Sequence, residues 1–234
     1  MDIPVVILCG GKGTRVGQLS QKIPKPLLEI GGKPILWHVM KIYASQGYRR
    51  FILCLGYKGR QIESYFRKHN SERWQINFVD TGLDTPKTRR IAKIRNLISE
   101  ENFFLAYGDD VADINLERLV KLHLKHNVIA TITTVKMTSD FGIVEIGKNN
   151  RIARFKEKPR LDKWMNGGFM VMNRKIFKYL NAGELETDVF KKLVATNGLA
   201  AYKHSGQWKT MNTLKDNLEL NALWREGKAF WKIW

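Results

Sequence analysis

The sequence is poor in cysteine and proline and has no long hydrophobic run. Its two cysteines, Cys9 and Cys54, each lie inside an apolar stretch, where a thiol behaves as a small buried hydrophobe and not as half of a disulfide. No window long enough for a membrane-spanning helix occurs, and the first apolar stretch, Pro4 to Cys9, lacks the basic flank and cleavage site of a secretory signal. A soluble, cytoplasmic protein without membrane insertion is expected. An excess of acid is missing too: 40 Lys and Arg stand against 22 Asp and Glu, a formal charge of +18. A field of that sign attracts phosphates of any kind. The basic residues nevertheless occur only in short pairs such as Arg49-Arg50, Arg89-Arg90 and Lys191-Lys192. With no basic tail or stripe, specific nucleic-acid binding is not expected.

What is present is rhythm. Val, Ile and Leu runs at Val5 to Cys9, Phe51 to Leu55, Ile76 to Val79, Phe103 to Tyr107 and Ile129 to Val135 read as strands. Helical patterns fall between them at Ile35 to Gln46, Arg60 to Lys68, Arg90 to Ile98 and Leu116 to His126. Alternation of this kind predicts an α/β fold, a doubly wound and mostly parallel sheet with helices on both faces. After Lys136 the pattern turns to short strands, Gly142 to Ile146, Ile152 to Lys156 and Gly168 to Met172, with helices near Lys175 to Leu180 and Asp188 to Ala195. That half reads as a smaller lobe, and with no linker or repeat between the halves residues 1–234 are expected to form a single domain. A last helix, Leu214 to Trp224, is expected to bury Leu214, Leu218, Ala222 and Leu223.

Directly after the first strand comes Gly10-Gly11-Lys12-Gly13-Thr14-Arg15. Glycines in that position let the backbone turn tightly and aim N–H groups at phosphate oxygens, although a glycine turn can also serve chain reversal alone. The segment is not a P-loop, because Lys12 is followed by glycine and not by Ser or Thr. Nor does it fit a dinucleotide site: Val16 stands where the third glycine belongs, and no acid closes the second strand at Leu55-Gly56-Tyr57. Lys25, flanked by Pro24 and Pro26, is a cation on a stiffened backbone. Asp109 follows a buried strand at the edge where open α/β sheets bind ligands, and a carboxylate there suits a hard cation or, equally, a turn.

Taken in order, Gly10 to Arg15, Pro24-Lys25-Pro26, Gly108-Asp109, Glu157-Lys158-Pro159 and Asn166-Gly167-Gly168 resemble the motifs of sugar-phosphate nucleotidyltransferases. Glu29 to His38, Val79-Asp80-Thr81-Gly82 and the tail Gly227 to Trp234 are similar to one branch, the glucose-1-phosphate cytidylyltransferases. The resemblance implies a Rossmann-like nucleotidyltransferase fold, with residues 1–136 as the nucleotide-binding half and 137–234 as the sugar-binding and C-terminal half. It implies attack by a sugar 1-phosphate on the α-phosphorus of an NTP, with glucose 1-phosphate and CTP as the first expectation, giving an NDP-sugar and pyrophosphate. A phosphate monoester has a second pKa of about 6, so the nucleophile needs no general base near neutral pH.

By the same resemblance Arg15 and Lys25 are catalytic. Leu8, Gly10, Gly11, Gly13, Thr14, Arg15, Lys25, Thr81, Gly82 and Asp109 would hold the nucleotide. Glu145, Lys158, Asn166 and Gly168 would hold the sugar phosphate. Asp109 would bind Mg²⁺, with Asn212 in the place of the family's second metal-binding aspartate. Asn212 supplies no negative charge, and Asp110 stands where the family usually has glycine, so Asp110 is a candidate to compensate. Lys87-Thr88-Arg89-Arg90 also departs from the family's pattern, which has a glycine pair before its arginine, and His69 to Ile76 is shorter than usual. These departures keep two other readings open: a different nucleotide or phosphorylated acceptor, and a binding protein without catalysis. The tryptophans Trp224, Trp231 and Trp234 are expected to be buried or to form a subunit contact, and a homo-oligomer is expected.

Overall fold

The computed structural model describes residues 3–13, 22–181 and 183–234. Thr14 and Arg15 lie outside the described residues.

Strand β1 (Val5–Cys9) is followed by the short pair β2 (Glu29–Ile30) and β3 (Lys33–Pro34) and by α1 (Ile35–Ser45). Then come β4 (Arg50–Leu55), α2 (Gly59–Lys68), β5 (Gln75–Asp80), α3 (Lys87–Lys93), β6 (Asn102–Tyr107), β7 (Asp110–Ala112) and α4 (Leu116–His126). The second half adds β8 (Ala130–Thr138), β9 (Ile143–Ile146), β10 (Ile152–Lys156) and β11 (Arg160–Asn173), then α5 (Phe190–Ala195), β12 (Leu199–Lys203), β13 (Trp208–Thr210) and α6 (Leu214–Arg225).

Seven strands form the central sheet in the order β12-β8-β11-β6-β1-β4-β5, and β11 runs against its neighbours β6 and β8. β1 pairs in parallel with β4 on one side and β6 on the other, so the chain reverses its winding beside β1. Side-chain alternation along a strand sends neighbours to opposite faces, and both faces here are apolar. Val5, Ile7 and Cys9 of β1 join Phe51, Leu53, Phe104 and the apolar sides of α1 and α4, whereas Val6, Ile52, Phe103 and Leu105 meet Ile91, Phe177, Leu185 and Leu193 on the other side. Both cysteines are buried and unbridged.

Several elements depart from the periodicity. The expected Arg90 to Ile98 helix begins at Lys87, because Pro86 at its N-cap (φ −58°) presets the entry, and it ends at Lys93 before a tighter turn at Arg95–Leu97. β11 is a 14-residue strand and not only its Gly168 to Met172 end, since β8 pairs with it along its length and the register shifts between Asn166 and Met170 at the glycine pair. The helix expected at Lys175 to Leu180 is a 3₁₀ segment over Arg174–Lys178, and that at Asp188 to Ala195 is a π turn, Leu185–Val189, running into α5. β7, β12 and β13 carry no local signal and exist through pairing; β7, for instance, pairs with β13.

On α6 the expected face holds only at its C-terminal end, where Leu223 packs against the core and Ala222 is half-buried. Leu214 and Leu218 are 46% and 60% exposed, whereas Leu220 is buried. A capping box between Thr213 and Asp216 fixes where the helix starts, and its Trp224 then lies against Gly31. Beyond it, Trp231 is wholly buried and donates through Nε1 to His38 Nδ1 at 3.3 Å, while His38 Nε2 donates to the Ile30 carbonyl at 2.8 Å. The tail is therefore part of this chain's own core. In contrast, the β9–β10 hairpin stands out from the body, with Phe141, Ile146, Ile152 and Phe155 all more than 60% exposed.

Candidate active site

A cavity of about 630 Å³ opens at the carboxyl ends of β1 and β6, the crevice where winding reverses. Its walls include Leu8, Gly10, Gly11 and Gly13 after β1, then Lys25, Asp109, Asn166 and Asn212. Gly13 has φ +65°, and a Cβ there would fall 2.9 Å from the Cβ of Lys25, so the loop and the lysine stem are close because no side chain separates them.

The Lys25 ammonium pairs with the Asp109 carboxylate and also donates to Asn212 Oδ1 at 3.1 Å. Asp109 comes from the end of β6, and Asn212 is brought over by the β7–β13 pairing that precedes it. Asp110, the neighbouring acid, is buried, and its carboxyl abuts Gly168 and the Thr210 side chain. Burial, and then the charge of Asp109, pushes that carboxyl well up from its ordinary range. Asp110 also lines the cavity beside Asp109, where its carboxyl is directed to Thr210.

Arg90 is the largest surprise. It is 5% exposed and donates to Leu55 O (3.1 Å), Thr81 Oγ1 (2.6 Å), Gly82 O (2.7 Å), Gly10 O (3.2 Å) and Leu83 O (2.8 Å). Its fork ties together the ends of β1, β4 and β5: it adds a second donor to the Gly10 and Leu55 carbonyls, which already accept from the Tyr57 and Thr81 amides, and it meets the Gly82 and Leu83 carbonyls beyond β5. Thr81 and Gly82, expected at the nucleotide, serve as acceptors for Arg90 and are not among the residues lining the cavity. Burial lowers the Arg90 pKa.

The family described as Nucleotidyl transferase matches residues 4–226. This chain belongs to that family. The nucleotidyl transferase is 42% identical to a probable glucose-1-phosphate cytidylyltransferase of Bacillus subtilis, over 98% of this chain and 99% of that protein. It is 36% identical to the glucose-1-phosphate cytidylyltransferase of Salmonella typhimurium, over 98% of each. Among solved structures, HddC from Yersinia pseudotuberculosis complexed with GMP-PN has a TM-score of 0.75 at 24% identity, covering 95% of this chain and 99% of that one, a likeness of fold.

Not every expected site residue reaches the cavity of this transferase. Gly168, at φ +82°, packs beside the wall, where a Cβ would strike the Asp110 carboxyl and come within 2.9 Å of the Tyr107 ring. Glu145 sits on the exposed β9 strand, 3.4 Å from Arg154, and Lys158 lies in the exposed turn before β11 at φ +43°. Neither is among the residues lining the cavity. Conversely, Tyr107, Glu184, Glu186 and Trp208 line the cavity without having been anticipated. Trp208 is placed by its Nε1, which donates to the Gly167 carbonyl at 2.8 Å. A Gly183-Glu184-Leu185-Glu186 stretch carries no periodicity that would have marked it.

Proposed function

We propose that this nucleotidyl transferase joins CTP to glucose 1-phosphate, forming CDP-glucose and pyrophosphate. The observation that carries this reading is the convergence of the glycine loop, Lys25 and Asp109 on one cavity, in a chain aligned nearly end to end with curated cytidylyltransferases. The glycine loop offers backbone N–H groups to the triphosphate, and the Lys25 ammonium neutralises charge developing at the α-phosphate. Arg15, outside the described residues, would by the family resemblance add a second cation. Asn166 faces the acceptor side. Because the sugar phosphate is already anionic, the site's work is to hold two anions in line and offset their repulsion.

The residues fit a magnesium ion bound partly by the protein. The Asp109 carboxylate and the Asn212 carbonyl oxygen converge on a single cation, the Lys25 ammonium, and Mg²⁺ takes one or two protein oxygens together with substrate phosphates and water. When bound, the ion supplies positive charge to phosphate oxygens. Among the described residues no group of three or more His, Cys, Asp or Glu is placed to hold a metal, so the protein's share of the coordination is small.

No helix among the described residues is long and apolar enough to cross a membrane, and we read the enzyme as cytoplasmic. The exposed apolar side chains of the β9–β10 hairpin support a homo-oligomer, which sedimentation of the purified protein tests. Pyrophosphate release from four NTPs against several sugar 1-phosphates, with Mg²⁺ or Mn²⁺, tests the reaction. CTP with glucose 1-phosphate should be the best pair; tight binding with no turnover of any pair would sink the enzymatic reading.

A further inference from the structure

Lys87 has no part in the transfer described above, yet it stands in the cavity wall. It opens α3, and its ammonium pairs with the Glu186 carboxylate, 99 residues further along the chain. The Tyr107 hydroxyl donates to the same Glu186 oxygen at 2.5 Å, and the ammonium lies 4.9 Å from the centre of the Tyr107 ring. Thr88 reinforces the join, because its hydroxyl donates to the Gly183 carbonyl at 2.7 Å. Neither partner is sealed off: the side chains of Lys87 and Glu186 remain 43% and 34% exposed.

Charge decides what such a place can hold. An ammonium joined to a carboxylate has no net charge, and Glu184 adds a further acid to this wall. Phosphates are drawn instead to Lys25 and the glycine loop. What remains beside Tyr107 are free N–H donors on Lys87 and free lone pairs on Glu186, one hydrogen bond apart. Adjacent hydroxyls on a sugar ring match that pattern, one donating to the carboxylate and the other accepting from the ammonium.

We propose that Lys87 and Glu186 form a subsite that reads a vicinal diol, with Lys87 a specificity-determining residue of this chain. The ribose of the nucleotide and the ring of the acceptor both carry such a diol. The inference rests on the reading of the cavity as a nucleotide and sugar-phosphate site.

The test compares CTP with its 2′-deoxy and 3′-deoxy forms, and glucose 1-phosphate with its 2-, 3- and 4-deoxy forms, by calorimetric Kd and by kcat/KM. In the unaltered protein, loss of the hydroxyl that is read weakens Kd or kcat/KM tenfold or more, as expected for hydrogen bonds to charged groups. Lys87→Met and Glu186→Gln each bring that ratio to within about threefold of unity, while Lys87→Arg, which keeps donors and charge, preserves most of it. A ratio taken within one variant cancels any general weakening of the fold. The series that responds, nucleotide or sugar, identifies the source of the diol.

Equal ratios in all variants, no discrimination in the unaltered protein, or no binding of any compound would each overturn the subsite. Discrimination in Kd without turnover of any pair leaves the subsite standing and removes the proposed reaction. Turnover with unmoved ratios does the reverse.

Discussion

The Lys25 ammonium donates to Asn212 Oδ1 at 3.1 Å across 187 residues of chain, and its other partner is the Asp109 carboxylate. One anionic ligand and one neutral ligand therefore share a fixed cation at the place where phosphate charge must be met. Replacing Lys25 with Met should lower kcat by about 10²- to 10³-fold, the usual effect of losing a preorganised charge at a developing oxyanion. Lys25→Arg should not restore it, since a planar fork cannot occupy the position of a compact ammonium. Pyrophosphate release under saturating substrates checks both.

Restoring a carboxylate with Asn212→Asp adds a negative charge beside Asp109. Mn²⁺ affinity, followed by the loss of the free-ion electron paramagnetic signal, should rise by roughly tenfold, equivalent to about 1.4 kcal/mol. Unchanged affinity would mean that Asn212 lies outside the cation's coordination.

Arg90→Lys keeps the charge but not the fork. A lysine can reach at most a few of the five acceptors that Arg90 serves; the Gly10 and Leu55 carbonyls keep their backbone donors, but the Gly82 and Leu83 carbonyls and the cross-link between the three strand ends are compromised. Urea denaturation should show a loss of about 2–3 kcal/mol, and nucleotide affinity should fall with it because the Gly10 carbonyl keeps only its bond from the Tyr57 amide.

His38 makes stability depend on pH. Burial, acting against its hydrogen bond to the Ile30 carbonyl, lowers its pKa from the usual 6.5 to about 4. Between those values the unfolded chain binds a proton that the folded chain refuses. Its contribution is therefore complete above pH 6.5, is lost as pH falls toward 4, and has a slope of up to about 1.4 kcal/mol per pH unit. Urea titrations at pH 7 and pH 5 should show this loss; His123, likewise lowered by burial to about 4, contributes over the same window, so His38→Gln should reduce the slope by about half and His38→Gln with His123→Gln should remove most of it.

Trp231 accounts for much of what the tail contributes. It is fully buried and donates to His38, so Trp231→Ala should cost about 3–5 kcal/mol, seen as a lower urea midpoint. A tail serving only as a subunit contact would leave the midpoint independent of this side chain at low protein concentration.

The strands β1, β4 and β6, the helices α1 and α4, and the glycine loop at their edge were all legible in order of sequence. Each rests on an interval of a few residues: the two-residue pleat, the helical turn, a glycine where the backbone must bend. Lys25 and Asp109 are different: a short window leaves one as a solvated lysine and the other as a turn, and it is the resemblance in motif order that singles them out. What only the tertiary structure decided are relationships set by register between distant segments. Arg90 became a clasp for three strand ends, Lys87 found Glu186 across 99 residues, and Leu220 was buried where Leu214 and Leu218 were expected. Glu145, on the β9–β10 hairpin, and Lys158, in the turn after it, are not among the residues that line the cavity. Local periodicity fixes which way a side chain points from its own backbone, but which surface it meets depends on how strands pair and where each helix is capped, and those pairings join residues that no short window contains.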